Sequence, residues 1–231
     1  MNAWTEPPRY EIKIECDSAL LPQVLAWVWL DPAHWRPTYP PRQVNNIYFD
    51  TADNGSLNDN LSGVGERHKL RVRWYGPALH RLTDARLELK RREGGVGCKE
   101  ICPLDMTLDL PTTPWPVVCR RLHESVEPRA RAWLTPFAFP VLINHYWRVY
   151  YATPDQALRL TVDSGLRAYD QRFSTHPNLC RPAPLAERVI IELKGAPEQQ
   201  PRLSEVLARL PFRPGRCSKY VYGMLAGVDL E

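Results

Sequence analysis

Short stretches of the chain alternate apolar and charged residues, which is the pattern of β-strands that bury one face. Turn residues separate these stretches, including Gly94-Gly95-Val96-Gly97 and Thr153-Pro154-Asp155, and such clusters favour hairpins. The pattern predicts strands at 9–16, 43–51, 66–75, 84–93, 96–104, 139–152, 156–163, 165–173 and 185–195.

Apolar residues at helical spacing interrupt the predicted strands at three places. They predict an amphipathic helix over 18–30, a second helix over 117–134 and two short helices within 201–226. The proline-rich residues 32–41 predict a link, and Asp53-Asn54-Gly55 predicts a turn. Hairpin-linked strands with inserted helices indicate an α+β fold that is mainly antiparallel β. A closed, tunnel-like barrel of eight or nine strands with flanking helices is the simplest solution, because closure leaves no exposed edge.

The 231 residues suffice for a single domain, and no boundary divides 1–231. The net charge of +4, from 30 basic and 26 acidic residues, is too balanced for a general nucleic-acid binder, so no nucleic-acid partner is expected.

The sequence shows no signal-peptide pattern and no apolar run near the roughly 20 residues of a membrane span. We therefore expect a cytoplasmic protein, and docking at the inner face of a membrane stays open. No P-loop, HExxH array or CxxC pair indicates another chemistry.

Ionic residues recur two positions apart on four of the predicted strands, so each of these strands has one ionic and one apolar face. Three strands carry a glutamate and a lysine around one aliphatic residue, and the fourth carries three cations. The four groups are Glu11-Ile12-Lys13, Glu88-Leu89-Lys90, Glu192-Leu193-Lys194, and Lys69 with Arg71 and Arg73. Rows of cations suit a chain of phosphates, and interspersed glutamates suit a divalent metal.

Alternation alone leaves two orientations open. The charged faces either contact water while the aliphatic faces form the core, or they line the lumen of the barrel while helices cover its outside. The strongly apolar second face of these strands and the apolar stripes of the predicted helices are compatible with a polar lumen. Burying so many like charges in an empty lumen is unfavourable, so water, counter-ions or a polyphosphate would have to fill it.

Eight segments occur in an order that is similar to a known family. They are RYEIK, NNIYFDT, KLRVRWYG, LELKRREG, RVYY, LTVD, VIIELK and CSKYVYGM. From about 9 to 226 the chain resembles the VTC domain, the catalytic domain of the vacuolar transporter chaperone, which makes polyphosphate. That domain belongs to the triphosphate tunnel metalloenzyme superfamily, with triphosphatases and CYTH-type adenylate cyclases.

The resemblance implies a barrel tunnel whose basic residues hold a triphosphate or polyphosphate and whose glutamates hold Mn²⁺ or Mg²⁺. The residues expected to act in catalysis are Lys13, Arg71, Arg73, Lys90, Arg148 and Lys219. Further phosphate-binding residues are expected at Lys69, Lys99, Lys194, Arg216 and Ser218. The metal is expected on Glu192, helped by Glu88 and Glu11.

The activity implied by the resemblance is ATP-dependent polyphosphate synthesis. Two alternatives stay open: a triphosphatase acting on a nucleoside triphosphate or tripolyphosphate, and a non-catalytic polyphosphate-binding module that serves a membrane protein on another chain. The chain departs from the family at Arg216, where the polymerases often have a lysine. The regulatory SPX domain and the membrane domain of the eukaryotic polymerases are not in the sequence. Coupling to translocation is therefore not expected of this chain, whose build is typical of bacterial proteins.

Several residues near these motifs have a structural alternative. Asp163 in LTVD is either a functional carboxylate or a turn cap. Tyr48 and Asp50 are expected to shape the barrel, and Trp74 and Tyr75 to pack outside it or at its rim.

Overall fold

The computed structural model describes residues 5–93 and 96–226. Its strands are β1 Thr5–Asp17, β2 Arg36–Asp50, β3 Arg67–Tyr75, β4 Arg81–Leu82, β5 Arg86–Glu93, β6 Val96–Pro103, β7 Leu108–Asp109, β8 Phe139–Ala152, β9 Leu158–Asp170 and β10 Arg188–Gly195. Its α-helices are α1 Leu21–Leu30, α2 Gly55–Ser62, α3 Trp115–Ser125, α4 Pro128–Leu134, α5 Gln200–Arg209 and α6 Lys219–Leu225. Within the described ranges, no helix has the length and apolar character needed to cross a membrane.

Eight strands close into an antiparallel barrel in which every strand pairs with two neighbours. The order around the ring is β1-β10-β9-β8-β2-β3-β5-β6, and β4 pairs with β7 in a separate two-stranded sheet. The predicted fold class is thereby confirmed, an α+β protein built on a closed, mainly antiparallel barrel with flanking helices. Of the predicted glycine turn at 94–97, residues 96 and 97 belong to β6, and residues 94 and 95 lie outside the described residues.

The outer face of the barrel is apolar, and the helices cover it. Leu70 and Leu87 are fully buried in one cluster with Leu122 of α3, and Ile191 shares a second cluster with Val24 of α1. Burying each such side chain stabilises the fold by about 1.5–3 kcal/mol. Because successive residues of a strand point to opposite faces, the charged residues between these aliphatic ones face the lumen. The second of the two orientations left open by the sequence is the one observed.

One predicted pair of strands is wrong. Residues 158–163 and 165–170 belong to one continuous strand, β9, so the ring has eight strands, the lower of the two expected numbers. Gly165 has a φ of 62°, and the pairing of β9 with β8 shifts register between His145 and Trp147. This is a β-bulge, which breaks the alternation locally and so resembles a turn in the sequence.

The proline-rich link predicted at 32–41 is also wrong for most of its length, because β2 begins at Arg36. The pairing of β2 with β8 shifts register between Pro37 and Tyr39 and again between Tyr39 and Arg42. Irregular pairing tolerates prolines, which have no N–H to donate to a regular ladder. Residues at the start of β2, before the strand predicted to begin at 43, therefore also line the lumen.

Two helical regions differ from the prediction. The helix predicted over 117–134 is divided into α3 and α4, because Pro128 cannot continue a helix and instead occupies the first turn of α4. The turn predicted before α2 leads directly into that helix, and the N–H groups of Ser56 and Leu57 donate to the Asp50 carboxylate at 2.8 and 3.2 Å. Asp50 also accepts a hydrogen bond from Tyr220 of α6, so it anchors both helices to the barrel.

Candidate functional site: a cation-lined tunnel

A cavity of about 780 Å³ lies inside the barrel and is lined by residues of all eight ring strands. Among the described residues that line it, fourteen are lysine or arginine and two are glutamate. The whole chain has a net charge of only +4, so positive charge is concentrated in this lumen. The fourteen cations are Arg9, Lys13, Arg36, Arg42, Lys69, Arg71, Arg73, Arg86, Lys90, Lys99, Arg148, Arg159, Lys194 and Lys219.

Glu192 on β10 is one of the two glutamates of the cavity, and four cations surround it. Its carboxylate lies 2.7 Å from Lys194 Nζ, 3.2 Å from Arg148 Nη2, 3.2 Å from Lys219 Nζ and 4.0 Å from Lys13 Nζ. Burial acts to raise the pKa of Glu192, but these charges outweigh it and hold the pKa well below its ordinary value. The carboxylate is therefore ionised and gathers cations from β1, β8, β10 and α6.

Asp163 on β9 forms ion pairs with two of these cations, Arg148 and Lys219. Arg148 donates to both of its carboxylate oxygens, from Nε at 2.5 Å and from Nη2 at 2.6 Å, and Lys219 Nζ lies 2.5 Å from Oδ2. Such a bidentate pair fixes the plane of the guanidinium. Asp163 lies within β9 and is buried, so it is not the turn cap that the sequence left open. It orients Arg148 and Lys219 towards the cavity.

Glu88 on β5 forms a second cation cluster, but its carboxylate is wholly buried and does not line the cavity. It lies 2.6 Å from Arg71, 2.8 Å from Arg86, 3.3 Å from Lys99 and 3.7 Å from Arg73. Burial acts to raise its pKa, and the four cations, Arg73 and Arg71 above all, hold that pKa well below its ordinary value. Glu88 is thus a fixed counter-ion beneath cations that face the lumen.

A third group of charges on β1, β3 and β5 is dominated by lysine. Glu11 lies 3.3 Å from Lys13 Nζ and 2.6 Å from Lys90 Nζ, and Lys69 donates to Ser218 Oγ at 3.0 Å. Burial, followed by neighbouring cations, lowers the pKa of Lys69 to about 6. Burial lowers the pKa of Lys90 to about 8, although Glu11 opposes the shift. An anion bound here would relieve this repulsion.

The structure brings nearly all of the predicted phosphate-binding residues together around one cavity. The exception is Arg216, which is exposed and does not line the cavity. Its guanidinium lies near Gly63, at the end of α2. Of the three predicted metal ligands, Glu11 and Glu192 line the cavity and Glu88 does not.

Five arginines of the lining were not predicted, namely Arg9, Arg36, Arg42, Arg86 and Arg159. The alternating pattern could have predicted two of them, because residues two positions apart on a strand share a face. Arg9 precedes Glu11 by two residues, and Arg86 precedes Glu88 by two. Arg36 and Arg42 lie among the prolines at the start of β2, where alternation is lost.

The donor set of the cavity fits a divalent ion only in part. Within 5–93 and 96–226, no three His, Cys, Asp or Glu side chains gather as a site that could hold a metal by protein ligands alone. Glu11 and Glu192 nevertheless both contact Lys13 and both face the lumen. Mg²⁺ and similar hard ions are commonly held by one or two carboxylates together with substrate phosphates and water. The residues present therefore fit a metal that arrives with its phosphates.

The closed antiparallel barrel and its cation-lined lumen give this chain the architecture of a tunnel-type barrel protein. The family model of the VTC domain matches residues 17–227, and the chain belongs to this family. The comparison with curated proteins found no match.

Two solved structures share the fold at low sequence identity. One is a putative adenylyl cyclase from Hippeastrum, described as having a dominant triphosphatase activity; it is 17% identical with a TM-score of 0.52, and the match covers 93% of each chain. The other is the PH1819 protein from Pyrococcus horikoshii OT3, which is 14% identical with a TM-score of 0.51; the match covers 94% of this chain and 98% of that one.

Proposed function

We propose that the tunnel binds a triphosphate or polyphosphate and transfers a phosphoryl group, with ATP-dependent polyphosphate synthesis as the reaction. The observation that supports this is the ratio of fourteen cations to two glutamates among the described residues that line one cavity, in a chain of the VTC family. The buried carboxylates of Glu88 and Asp163 offset part of this charge, and a compact, highly charged anion is suited to offset the rest.

In this proposal the protein acts by positioning and charge neutralisation, because phosphoryl transfer leaves little covalent chemistry for side chains. Arg71 and Arg73 from one wall and Arg148 from another would clamp the phosphates, with the planar guanidinium forks suited to phosphate oxygens. Lys13, Lys90 and Lys219 act in catalysis by neutralising the charge that develops on the transferred group. The supporting shell of the clamp consists of Lys69, Lys99, Lys194 and Ser218.

A Mn²⁺ or Mg²⁺ ion would be held by Glu192 and Glu11 and would neutralise phosphate oxygens when bound. Glu88 is left out of the metal site, because it is wholly buried and does not line the cavity. Its proposed role is to hold Arg71 and Arg73 in place.

Hydrolysis of a triphosphate is the second candidate reaction, with water in place of a growing chain as the acceptor. The triphosphatase activity described for the Hippeastrum protein favours keeping it. Both reactions use the same clamp, since both hold the same phosphates. A binding module for a membrane protein on another chain is the non-catalytic alternative.

The test is incubation of the protein with ATP and Mn²⁺, with products resolved on a polyphosphate gel and free phosphate measured in parallel. A ladder of long chains is the expected result. Free phosphate without chains would replace synthesis with hydrolysis, and the absence of turnover would refute the enzyme. Glu192→Gln should be inactive in the same assay, and Glu198→Gln, which removes an exposed carboxylate outside the cavity, should match the unchanged protein.

A further inference from the structure

Arg71 and Arg73 lie two residues apart on the lumen face of β3, but different kinds of partner hold them. Arg71 donates from Nε and Nη2 to one carboxylate oxygen of Glu88, at 2.9 and 2.6 Å. Arg73 lies 3.7 Å from that carboxylate. Its hydrogen bonds go instead to neutral oxygens, from Nε to Asn46 Oδ1 at 2.8 Å and from Nη2 to the Tyr146 hydroxyl at 3.2 Å. The charge of Arg73 is therefore offset less closely than that of Arg71.

A row of three side chains fixes the amide of Asn46. Arg73, Asn46 and Asn144 are in direct register across β3, β2 and β8, and all three are buried. Asn46 donates from Nδ2 to Asn144 Oδ1 at 2.8 Å, so the oxygen of its amide points to Arg73. Neither asparagine lines the cavity, whereas Arg73 does. Asn46 can therefore influence a ligand in the lumen through the guanidinium that it holds.

The row leaves one buried donor without a partner. Nδ2 of Asn144 is buried and makes no hydrogen bond to the described part of the chain. Buried polar groups are nearly always paired, and an orphaned one lowers stability. A carboxylate at position 46 would remove this defect, because Asn144 could turn and donate Nδ2 to it while Arg73 donated from the other side. The chain has a neutral amide at this position instead.

From this arrangement we infer that Asn46 is a positioning residue for anion binding, which holds Arg73 with a neutral oxygen so that the guanidinium keeps its positive charge for the phosphates. The inference rests on the proposed function and adds a residue that acts through the clamp. A carboxylate would hold Arg73 equally well, but it would form an ion pair and offset the charge that attracts the ligand. The amide thus favours ligand binding at the expense of stability.

The test is Asn46→Asp, studied by thermal unfolding and by calorimetric titration with tripolyphosphate in EDTA. We expect the variant to melt at the same temperature as the unchanged protein or higher, and to bind tripolyphosphate about tenfold more weakly, the effect of losing one charged hydrogen bond. A purely structural role for Asn46 would not combine undiminished stability with weaker binding. Asn58→Asp adds the same charge to an exposed residue of α2 outside the cavity lining, and it should change the affinity less than about twofold.

Two further variants test whether Asn46 acts through Arg73. In an Arg73→Ala background, Asn46→Asp should weaken binding less than about twofold, because a buried carboxyl without its cation takes up a proton and Arg73 is no longer there to be offset. Asn144→Leu removes the acceptor that orients the Asn46 amide. Its affinity for tripolyphosphate should also fall, by less than in Asn46→Asp, and this loss should likewise disappear in the Arg73→Ala background.

The possible outcomes separate this inference from the proposed function. Unchanged affinity in Asn46→Asp and Asn144→Leu, or an equal loss with and without Arg73, would overturn the role of Asn46 and leave the phosphate tunnel standing. A lower melting temperature in Asn46→Asp would also refute the inference, since a carboxylate would then not fit between Arg73 and Asn144. If the unchanged protein does not bind tripolyphosphate, the proposed function fails and the role of Asn46 fails with it.

Discussion

Glu88 and Glu192 occupy the same position in two copies of one motif, Glu-Leu-Lys, yet the barrel uses them differently. Each carboxylate meets four cations, and each has its pKa held well below its ordinary value by them. Glu192 lines the cavity, while Glu88 is wholly buried behind it. The Glu88 cluster is a closed ionic network, and the Glu192 cluster opens onto the lumen.

The comparison shows that a sequence motif defines a face of a strand but not the accessibility of each residue on it. The lysine of the motif illustrates the same point. Lys194 pairs with Glu192 of its own strand at 2.7 Å, whereas Lys90 pairs with Glu11 on a different strand at 2.6 Å. Partners across the lumen therefore decide what each copy does. In our proposal the closed cluster orients the clamp and the open cluster meets the ligand.

The largest expected effect comes from removing two cations above the closed cluster. Arg71→Ala with Arg73→Ala should weaken tripolyphosphate binding by about 3–6 kcal/mol, because each charged hydrogen bond contributes about 1.5–3 kcal/mol. Calorimetric titration measures this, with thermal unfolding to verify that the variant is folded. Arg120→Ala with Arg121→Ala removes two exposed cations of α3 and should leave the affinity unchanged. Unchanged affinity in the first variant would exclude this wall from the site.

Glu88→Gln should next reduce stability, since it leaves four cations around a neutral buried amide. Removal of one partner from a buried ion pair typically costs about 3–5 kcal/mol, and we expect a loss of that size in the free energy of unfolding. Chemical denaturation provides the measurement. Glu192→Gln should lose less, because solvent anions can enter the lumen and replace the carboxylate. Equal losses in the two variants would remove the distinction between a closed and an open cluster.

Glu192→Gln should in turn be the variant that separates turnover from binding. We expect turnover of ATP with Mn²⁺ to fall by about a hundredfold or more, the size of effect seen when one preorganised electrostatic group is lost. Tripolyphosphate binding in EDTA should persist, because the cations of the cavity remain. Steady-state kinetics beside calorimetry tests this, and full activity in the variant would refute the metal assignment.

The smallest expected effect concerns Lys69 of β3, which donates a hydrogen bond to Ser218, the N-cap residue of α6. Its pKa of about 6 leaves it largely neutral at pH 7 in the free protein, and a bound polyanion raises that pKa. The complex then binds more protons than the free protein, so affinity should rise as pH falls from 8 towards 6 and level off below 6, by less than about tenfold per pH unit.

Lys69→Arg provides the comparison for this pH dependence. The arginine stays charged throughout the range, so the affinity of this variant should vary with pH only through the groups that both proteins share, namely the terminal phosphates of the ligand and Lys90, whose pKa is about 8. Calorimetric affinities of tripolyphosphate at pH 6, 7 and 8 for both proteins isolate the lysine. Identical pH profiles would show that Lys69 is already protonated in the free tunnel.

Much of the barrel follows from the sequence because the alternating strands are long and their turn residues are clear. The orientation of the charged faces does not, since a solvated face and a lumen give the same alternation around Leu70 and Leu87. The apolar stripes of the helices that cover those leucines are the extra signal. The predicted division into two strands at Gly165 is wrong, because a bulge interrupts the pattern there as a turn would.

The site follows from the sequence where the motif lies on a regular strand, and it does not where cross-strand register decides. The pairing of Arg148 with Asp163 depends on the register of β8 with β9, which the bulge shifts. The sequence does not predict Arg42 and its tyrosine neighbour Tyr39 as lining residues, because the prolines at the start of β2 indicate a link rather than a strand. The burial of Glu88 is likewise a property of the closed ring and cannot be inferred from its own strand.

The most direct test of the cationic tunnel is a calorimetric titration of the metal-free protein with phosphate, diphosphate and tripolyphosphate. A lumen lined by cations from all eight ring strands should bind one tripolyphosphate per chain, and affinity should increase with each added phosphate and fall as salt is raised. Equal, weak affinity for all three anions, or no binding at all, would contradict the view that the barrel interior is a site for a chain of phosphates.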